Sequence, residues 1–246
     1  MNPASPSPSR RAAFFAGARA ILPLIIGAIP FGIIYGALAV TAGLRPAEAL
    51  GMSLIVFAGS AQFIAVGLIA QGATAAVIIL TTFVVNLRHA LYAASLAPHM
   101  RGLPQRWLLP LGFWLTDEAF ATVIGPYQRR AHAPHDHWFH LGAALAMYLN
   151  WQLMTLIGIV AGTQLPDPAS WGLDFAMVVT FIGMVAPLVR GRPMIACVVV
   201  SAVVAVAAYG LPNQLWLMLA SLAGISAGLI SEAVWPRVAA EAESAA

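Results

Sequence analysis

Arg88 and His89 stand side by side in TTFVVNLRHALYAASL (residues 81–96), a stretch otherwise apolar enough to lie in a bilayer. An arginine at that depth costs about 2.5–3.5 kcal/mol on insertion scales and is rare there unless paired or functional. At about 100° per helical residue, Thr81, Arg88, Tyr92, Ser95 and His99 fall within roughly 60° of one another. Asn86 lies on the far side from Arg88, with His89 between. The face opposite the stripe is not cleanly apolar, so protein or a cavity is expected around this helix. Asp117 and Glu118 follow in WLTDEAF. Counted as consecutive antiparallel spans, the two segments put these acids at the depth of Arg88, so one carboxylate is expected to neutralise it. The other acid and His89 remain as groups able to change protonation, since histidine titrates near neutral pH and carboxylates respond strongly to desolvation. The plainer reading is a buried ion pair that fixes register, with His89 a hydrogen-bonded core residue. Three or four charged or titratable groups at one depth exceed what a structural pair needs, and that favours binding or proton coupling.

FAGSAQF (residues 57–63) interrupts another apolar stretch with Gly59, Ser60 and Gln62. A broken helix there frees amide and carbonyl groups for a polar ligand at mid-membrane. Close packing, with Gln62 bonded across an interface, explains the same residues. G-x-x-x-G at Gly32/Gly36, Gly158/Gly162 and Gly224/Gly228 reads as helix packing. AHAPHDHWFH (residues 131–140) gathers His132, His135, His137 and His140, but its spacing fits no metal motif, and it reads as an ordinary cytoplasmic loop. Ser60 lacks the G-x-S-x-G setting of a hydrolase. There is no phosphate-binding loop or dinucleotide turn, so no enzyme activity, metal or cofactor is expected. The single Cys197, in an apolar run, reads as a small buried hydrophobe.

Those residues must be held by membrane helices. Of 246 residues, 61% are hydrophobic and 9% charged, against about 25% charged in soluble domains. All 12 basic residues are arginine, and they sit mainly at segment ends, as topology signals do rather than a nucleic-acid face. The fold class is therefore all-α, a polytopic helical membrane protein. About eight segments are expected, at 20–42, 47–70, 73–97, 107–125, 139–162, 171–189, 193–210 and 213–233, some of them broken or short. Residues 1–19 and 236–246 are expected as cytoplasmic tails around a single integral membrane domain, 20–235. SRRAAFF near the start reads as a cytoplasmic anchor rather than a twin-arginine export signal. With eight spans and the N-terminus inside, Arg45, Arg101 and Arg106 lie outside and the arginines at 10, 11, 19, 129, 130, 190, 192 and 237 inside. A re-entrant second segment taken alone destroys that bias. FAGS (57–60) and FIGM (181–184) hint at a parallel two-fold repeat.

FAGSAQF, NLRHALYAASL and LTDEAFA, in this order and spacing, resemble the AzlC family, the YgaZ-like large subunits of branched-chain amino acid exporters. Length and hydropathy agree across nearly the whole chain, while the motifs lie in its first half. The resemblance implies a bacterial plasma-membrane exporter of leucine, isoleucine, valine or related amino acids. It also implies a small AzlD-type membrane subunit as partner; a homo-oligomer stays open. It transfers no residue list, so the candidate site rests on the physical argument: Gly59, Ser60, Gln62, Asn86, Arg88, His89, Tyr92, Asp117 and Glu118. A channel or a transporter of another small solute keeps the charged cluster but needs no alkyl pocket.

Overall fold

The computed structural model describes residues 9–129, 135–164, 182, 186, 189, 191–211 and 215–235. Every regular element among them is helical, and they fall into two compact units, Met1–Met177 and Val178–Ala246. Three helical stretches are long and apolar enough to cross a membrane: Leu22–Thr41, Ala75–Met100 and Asp136–Gln164, all in the first unit.

Helix α1 (Arg10–Ala20) begins at Ser9, whose hydroxyl accepts the Ala12 N–H at 3.2 Å. Helix α2 (Leu22–Thr41) continues after Ile21 alone. Helix α8 (Asp136–Gln164) lies along both. Glycine makes the approach possible: a Cβ on Gly17 would strike the Phe139 carbonyl, on Gly142 the Phe14 carbonyl, on Gly36 the Thr155 carbonyl and on Gly158 the Ile33 carbonyl. Lipid tails are as apolar as leucine, so helices associate in a membrane through such close packing rather than through the hydrophobic effect. The paired positions rise together, so α8 runs parallel to α1 and α2. We call the end of the unit holding Arg10 and Asp136 the amino end, and the end holding Thr41 and Gln164 the far end.

Helix α3 (Pro46–Val56) starts at the far end, where the Arg45 N–H donates to Glu48 Oε2 at 2.9 Å and Pro46 occupies the first turn. It returns along α8, with Ser53 Oγ 3.1 Å from Thr155 Oγ1 and the Phe57 ring 4.7 Å from that of Tyr148. The chain turns there, at Phe57 (φ 39°, left-handed) and the extended Ala58. Helix α4 (Gly59–Ala70) then leads back: Gln62 meets Trp151, and the Phe63 ring lies 6.1 Å from Tyr35. Helix α5 (Ala75–Leu96) and a 3-10 turn (Ala97–Met100) cross to the amino end, where Leu96 and Met100 share a cavity wall with His140. Since α5 ends there, it begins at the far end, and so α4, only a short link before it, ends at the far end too.

A second hairpin enters from the opposite side. Helix α6 (Gln105–Phe113) starts with Trp107 4.6 and 4.8 Å from the His137 and Trp138 rings, and it ends with Trp114 5.9 Å from Tyr148. Helix α7 (Asp117–Arg129) goes back, and its Tyr127 reaches His140, 6.2 Å between centroids. The first unit thus has three crossing helices and two re-entrant helical hairpins, whose tips meet at mid-depth around Tyr148.

Several expectations are corrected. Segments 47–70 and 107–125 do not cross; each is two half-helices folded back, because the chain turns at Phe57–Ala58 and at Trp114–Thr116. Gly59 to Gln62 form the first turn of α4 rather than the interruption itself. Arg101 and Arg106 lie at the same end as Arg10, not opposite it. The segment 10–19, expected as tail, is helical. The second half of 131–140 is the start of α8 rather than loop, with a turn set by His135 (φ 72°). Segment 171–189, the FIGM half of the repeat and the tail 236–246 lie essentially outside the described residues. In the second unit, α9 (Arg192–Ala208) and α10 (Leu215–Val234) pack antiparallel, with Gly224 against Ser201 and Gly228 against Cys197. Cys197 is half-buried there, not buried.

Two outcomes follow. In a Cys197→Ala background, Ala42→Cys and Gln71→Cys will react with an impermeant thiol reagent from the same side of the membrane, and Arg101→Cys from the side of Ser9→Cys. Opposite sidedness at 42 and 71 would mean that 47–70 crosses. Gly36→Ala will lower the melting temperature in detergent, at a cost of about 1–3 kcal/mol for overpacking, whereas Gly67→Ala, with open space at its Cβ, will not.

Candidate functional site

The tips determine what the site offers. A helix end leaves four amide N–H or four carbonyl groups without intrahelical partners, and at membrane depth these must be met by protein or by water in a cavity. The end of α3 is met by α8: Tyr148 Oη donates to the Leu54 carbonyl at 3.1 Å, and Gln152 Nε2 to the Ser53 carbonyl at 3.2 Å. The start of α7 is capped by Thr116, whose hydroxyl accepts the Ala119 N–H at 3.3 Å. The start of α4 has no side-chain cap, because its N-cap residue is Ala58. Its first amides are the backbone donors that the first tip offers without a side-chain cap.

The second tip carries the charge. Arg88 Nη1 donates to Asp117 Oδ2 at 3.2 Å, with side chains 25% and 27% exposed. That is longer than the ~2.7–2.9 Å of a strong charge-assisted bond, and the pair uses one guanidinium N–H. Arg88 Nε is buried without a hydrogen-bond partner. Glu118, the next residue, is half-buried, stands in the same first turn of α7 and takes no part in that pair. The interface extends along both helices in parallel: Tyr92 stacks on Phe120 at 4.7 Å and His99 on Tyr127 at 5.7 Å. Of the stripe read from the sequence, Arg88, Tyr92 and His99 therefore face α7, while Ser95 is exposed. The depth match of Arg88 with Asp117 holds, although the two helices run parallel rather than antiparallel.

His89 faces differently. Its Nδ1 lies 3.1 Å from the Asn86 carbonyl. A carbonyl only accepts, so Nδ1 carries a proton, and in the neutral ring Nε2 keeps a free lone pair. The ring meets Tyr92 edge-on at 5.9 Å. Asn86 Oδ1 is buried without a partner.

The remaining candidates divide. Gly59 has no room for a Cβ beside the Trp151 ring, 2.9 Å away, and fully buried Gln62 accepts from Trp151 Nε1 at 3.1 Å. Both belong to the packing of α4 on α8, the plainer of their two readings. Ser60 Oγ is buried without a partner. Sequence reasoning missed Trp114, Thr116, Tyr148, Asn150 and Gln152. Asn150 and Gln152 carried the signal that exposed Arg88, amide side chains inside an apolar span. Their Nδ2 and Oε1 atoms, and Trp114 Nε1, are also buried and unpartnered. Unmet hydrogen bonds of this kind cost about 1–3 kcal/mol each, and they cluster on the hairpin tips and the facing parts of α5 and α8. No three histidine, cysteine or acidic residues are disposed for a metal among the described residues, and His132 lies outside them.

The family model described as AzlC protein matches residues 23–165, the stretch from α2 to α8 that contains both hairpins. The inner membrane protein YgaZ of Escherichia coli is 29% identical over 245 residues, 96% of this chain and 97% of its own length. An uncharacterized membrane protein of Archaeoglobus fulgidus is 31% identical over 77% of this chain and 82% of its own. The branched-chain amino acid transport protein AzlC of Bacillus subtilis is 30% identical over 65% of this chain and 62% of its own. No solved structure matches.

The ion pair generates a prediction independent of function. Arg88→Gln leaves the Asp117 carboxylate uncompensated at membrane depth, and Asp117→Asn does the same to the guanidinium. Each will cost about 2–4 kcal/mol, below the ~3–5 kcal/mol of fully buried pairs because a quarter of each side chain is exposed. The double variant will recover most of the loss. A thermal-unfolding cycle in nanodiscs measures this; additive losses would mean the pair is not coupled.

Proposed function

The chain belongs to the AzlC family and is a multi-pass membrane protein, and from that premise we propose that it is a secondary transporter exporting branched-chain amino acids across the bacterial plasma membrane, coupled to protons. A small AzlD-type membrane subunit completes it. The observation that carries this reading is the pair of opposed hairpin tips at mid-depth, one neutral with uncapped amides and the other bearing Asp117 and Glu118 beside Arg88. An amino acid is a zwitterion with an apolar side chain. Its carboxylate suits the amides of Gly59 and Ser60 at the start of α4, where the helix dipole favours negative charge. Its ammonium suits Glu118, the acid that Arg88 leaves over. His89 Nε2 and the acids then serve as proton carriers. The named activity of the Bacillus subtilis relative supports the substrate class.

Orientation follows from the fold. Arg10, Arg11, Arg101, Arg106 and Arg129 gather at the amino end of the first unit, against Arg45 at the far end. By the positive-inside rule the amino end is cytoplasmic, and the second hairpin opens towards the cytoplasm.

Efflux of labelled valine from vesicles under an imposed proton gradient tests the reading. Asp117→Asn and Glu118→Gln will each lower the initial rate at least tenfold. His89→Ala will keep downhill efflux but lose its response to the gradient. Normal rates in all three variants would put the site elsewhere, and a flux of another solute in place of valine would leave the channel or other-solute reading.

A further inference from the structure

His140 is a fully buried polar side chain that the mid-depth site does not use. It stands in the second turn of α8, with no exposure, and neither ring nitrogen has a hydrogen-bond partner. The Tyr127 ring lies edge-on to it at 6.2 Å, so the imidazole meets an aromatic ring rather than a hydrogen-bonding group. It borders a cavity of about 350 Å³ between the end of α5, the second hairpin and α8. That volume is in the range of small-molecule pockets. The wall is aliphatic, with Leu96, Leu108, Leu111 and Leu115, and its polar members are His140 inside and Arg101 at the exposed rim. A neutral imidazole offers one N–H donor and Arg101 a guanidinium, side-chain groups that suit an anion, and the leucines suit a short branched alkyl group.

The cavity also has a direction. It begins at Arg101 and Leu103, on the amino end, and reaches Leu115, the residue before Thr116 and the second tip. His140 lies eight residues, about 12 Å at 1.5 Å per residue, from Tyr148, where the tips meet. We propose that this cavity is a second binding site, on the cytoplasmic approach to the hairpin tips, which takes a branched aliphatic carboxylate through Arg101 and His140. It differs from the mid-depth site in chemistry: it has a place for the carboxylate and the alkyl group but no acid for the ammonium. The choice of ligand rests on the transport reading above, for which this cavity is the loading site.

Equilibrium dialysis of the full chain in nanodiscs with labelled 4-methylpentanoate, the leucine skeleton without its ammonium, tests the assignment. Saturable binding of one molecule per chain is expected. His140→Phe and Arg101→Gln will each weaken it at least tenfold, Arg45→Gln, exposed at the far end, will leave it unchanged, and 4-methylpentan-1-ol will not compete. Absence of saturable binding, binding that Arg101→Gln leaves intact, or equal competition by the alcohol would overturn the proposal, the last by showing an apolar cavity only. Arg101 is an exposed rim residue, so its variant decides the matter even if His140→Phe does not fold. Loss of valine efflux activity in the wild-type assay with 4-methylpentanoate binding retained would defeat the transport reading alone; efflux without that binding would defeat the second site alone.

Discussion

The structure depends on one constraint: a chain that turns inside a bilayer exposes backbone ends where no bulk water can satisfy them. Helix α8 carries that burden. Its Tyr148 and Gln152 close the carbonyl end of α3, and Trp151 holds Gln62 in the first turn of α4. Those side chains can reach because α8 is seated against α1 and α2 through glycines whose Cβ atoms would overlap opposing carbonyls. Tyr148 touches both tips, meeting Phe57 on one and Phe113 and Trp114 on the other. One side chain thus fixes the distance between the two elements that define the site.

The polar chemistry was legible in the sequence and its topology was not. Arg88, Tyr92 and His99 were placed on one face by helical period, and that face does meet α7 at Asp117, Phe120 and Tyr127. The partner of Arg88 followed from charge alone. Hairpin arms, however, are as apolar as spans, and segments of 24 and 19 residues have the length of a single crossing. Hydropathy counts residues in lipid; it does not register the direction of travel. The turn at Phe57–Ala58 contains neither glycine nor proline at the left-handed position, so the usual punctuation was missing. The positions of Arg101 and Arg106 held the clue. Two re-entrant segments restore an arginine bias that one re-entrant segment destroys.

Within the first unit the order is crossing helix, hairpin, crossing helix, hairpin, crossing helix. Helix α2 is followed by a hairpin entering from the far end, and the oppositely directed α5 by one entering from the amino end. This is an inverted relation, in contrast to the parallel one suggested by FAGS and FIGM. It aligns Gly59, Ser60 and Ala61 of α4 with Asp117, Glu118 and Ala119 of α7, each triplet opening the returning arm. The same structural position holds small neutral residues in one half and two acids in the other.

Under the proposed function, that asymmetry selects the class of solute. An uncapped helix start favours negative charge, whereas the α7 start is already capped by Thr116 and carries two carboxylates against one arginine. An anion satisfies the first tip and is repelled by the second; a cation does the reverse. A zwitterion satisfies both at once, and it adds no net charge to a site that must be desolvated. On the proposed reading its two charges bridge hairpins that open to opposite faces, so the occupied site differs from the empty one in the electrostatic tie between the two tips. That difference is what a carrier needs and a pore does not, since a ligand can shift a conformational equilibrium only by the free energy with which it distinguishes the two states.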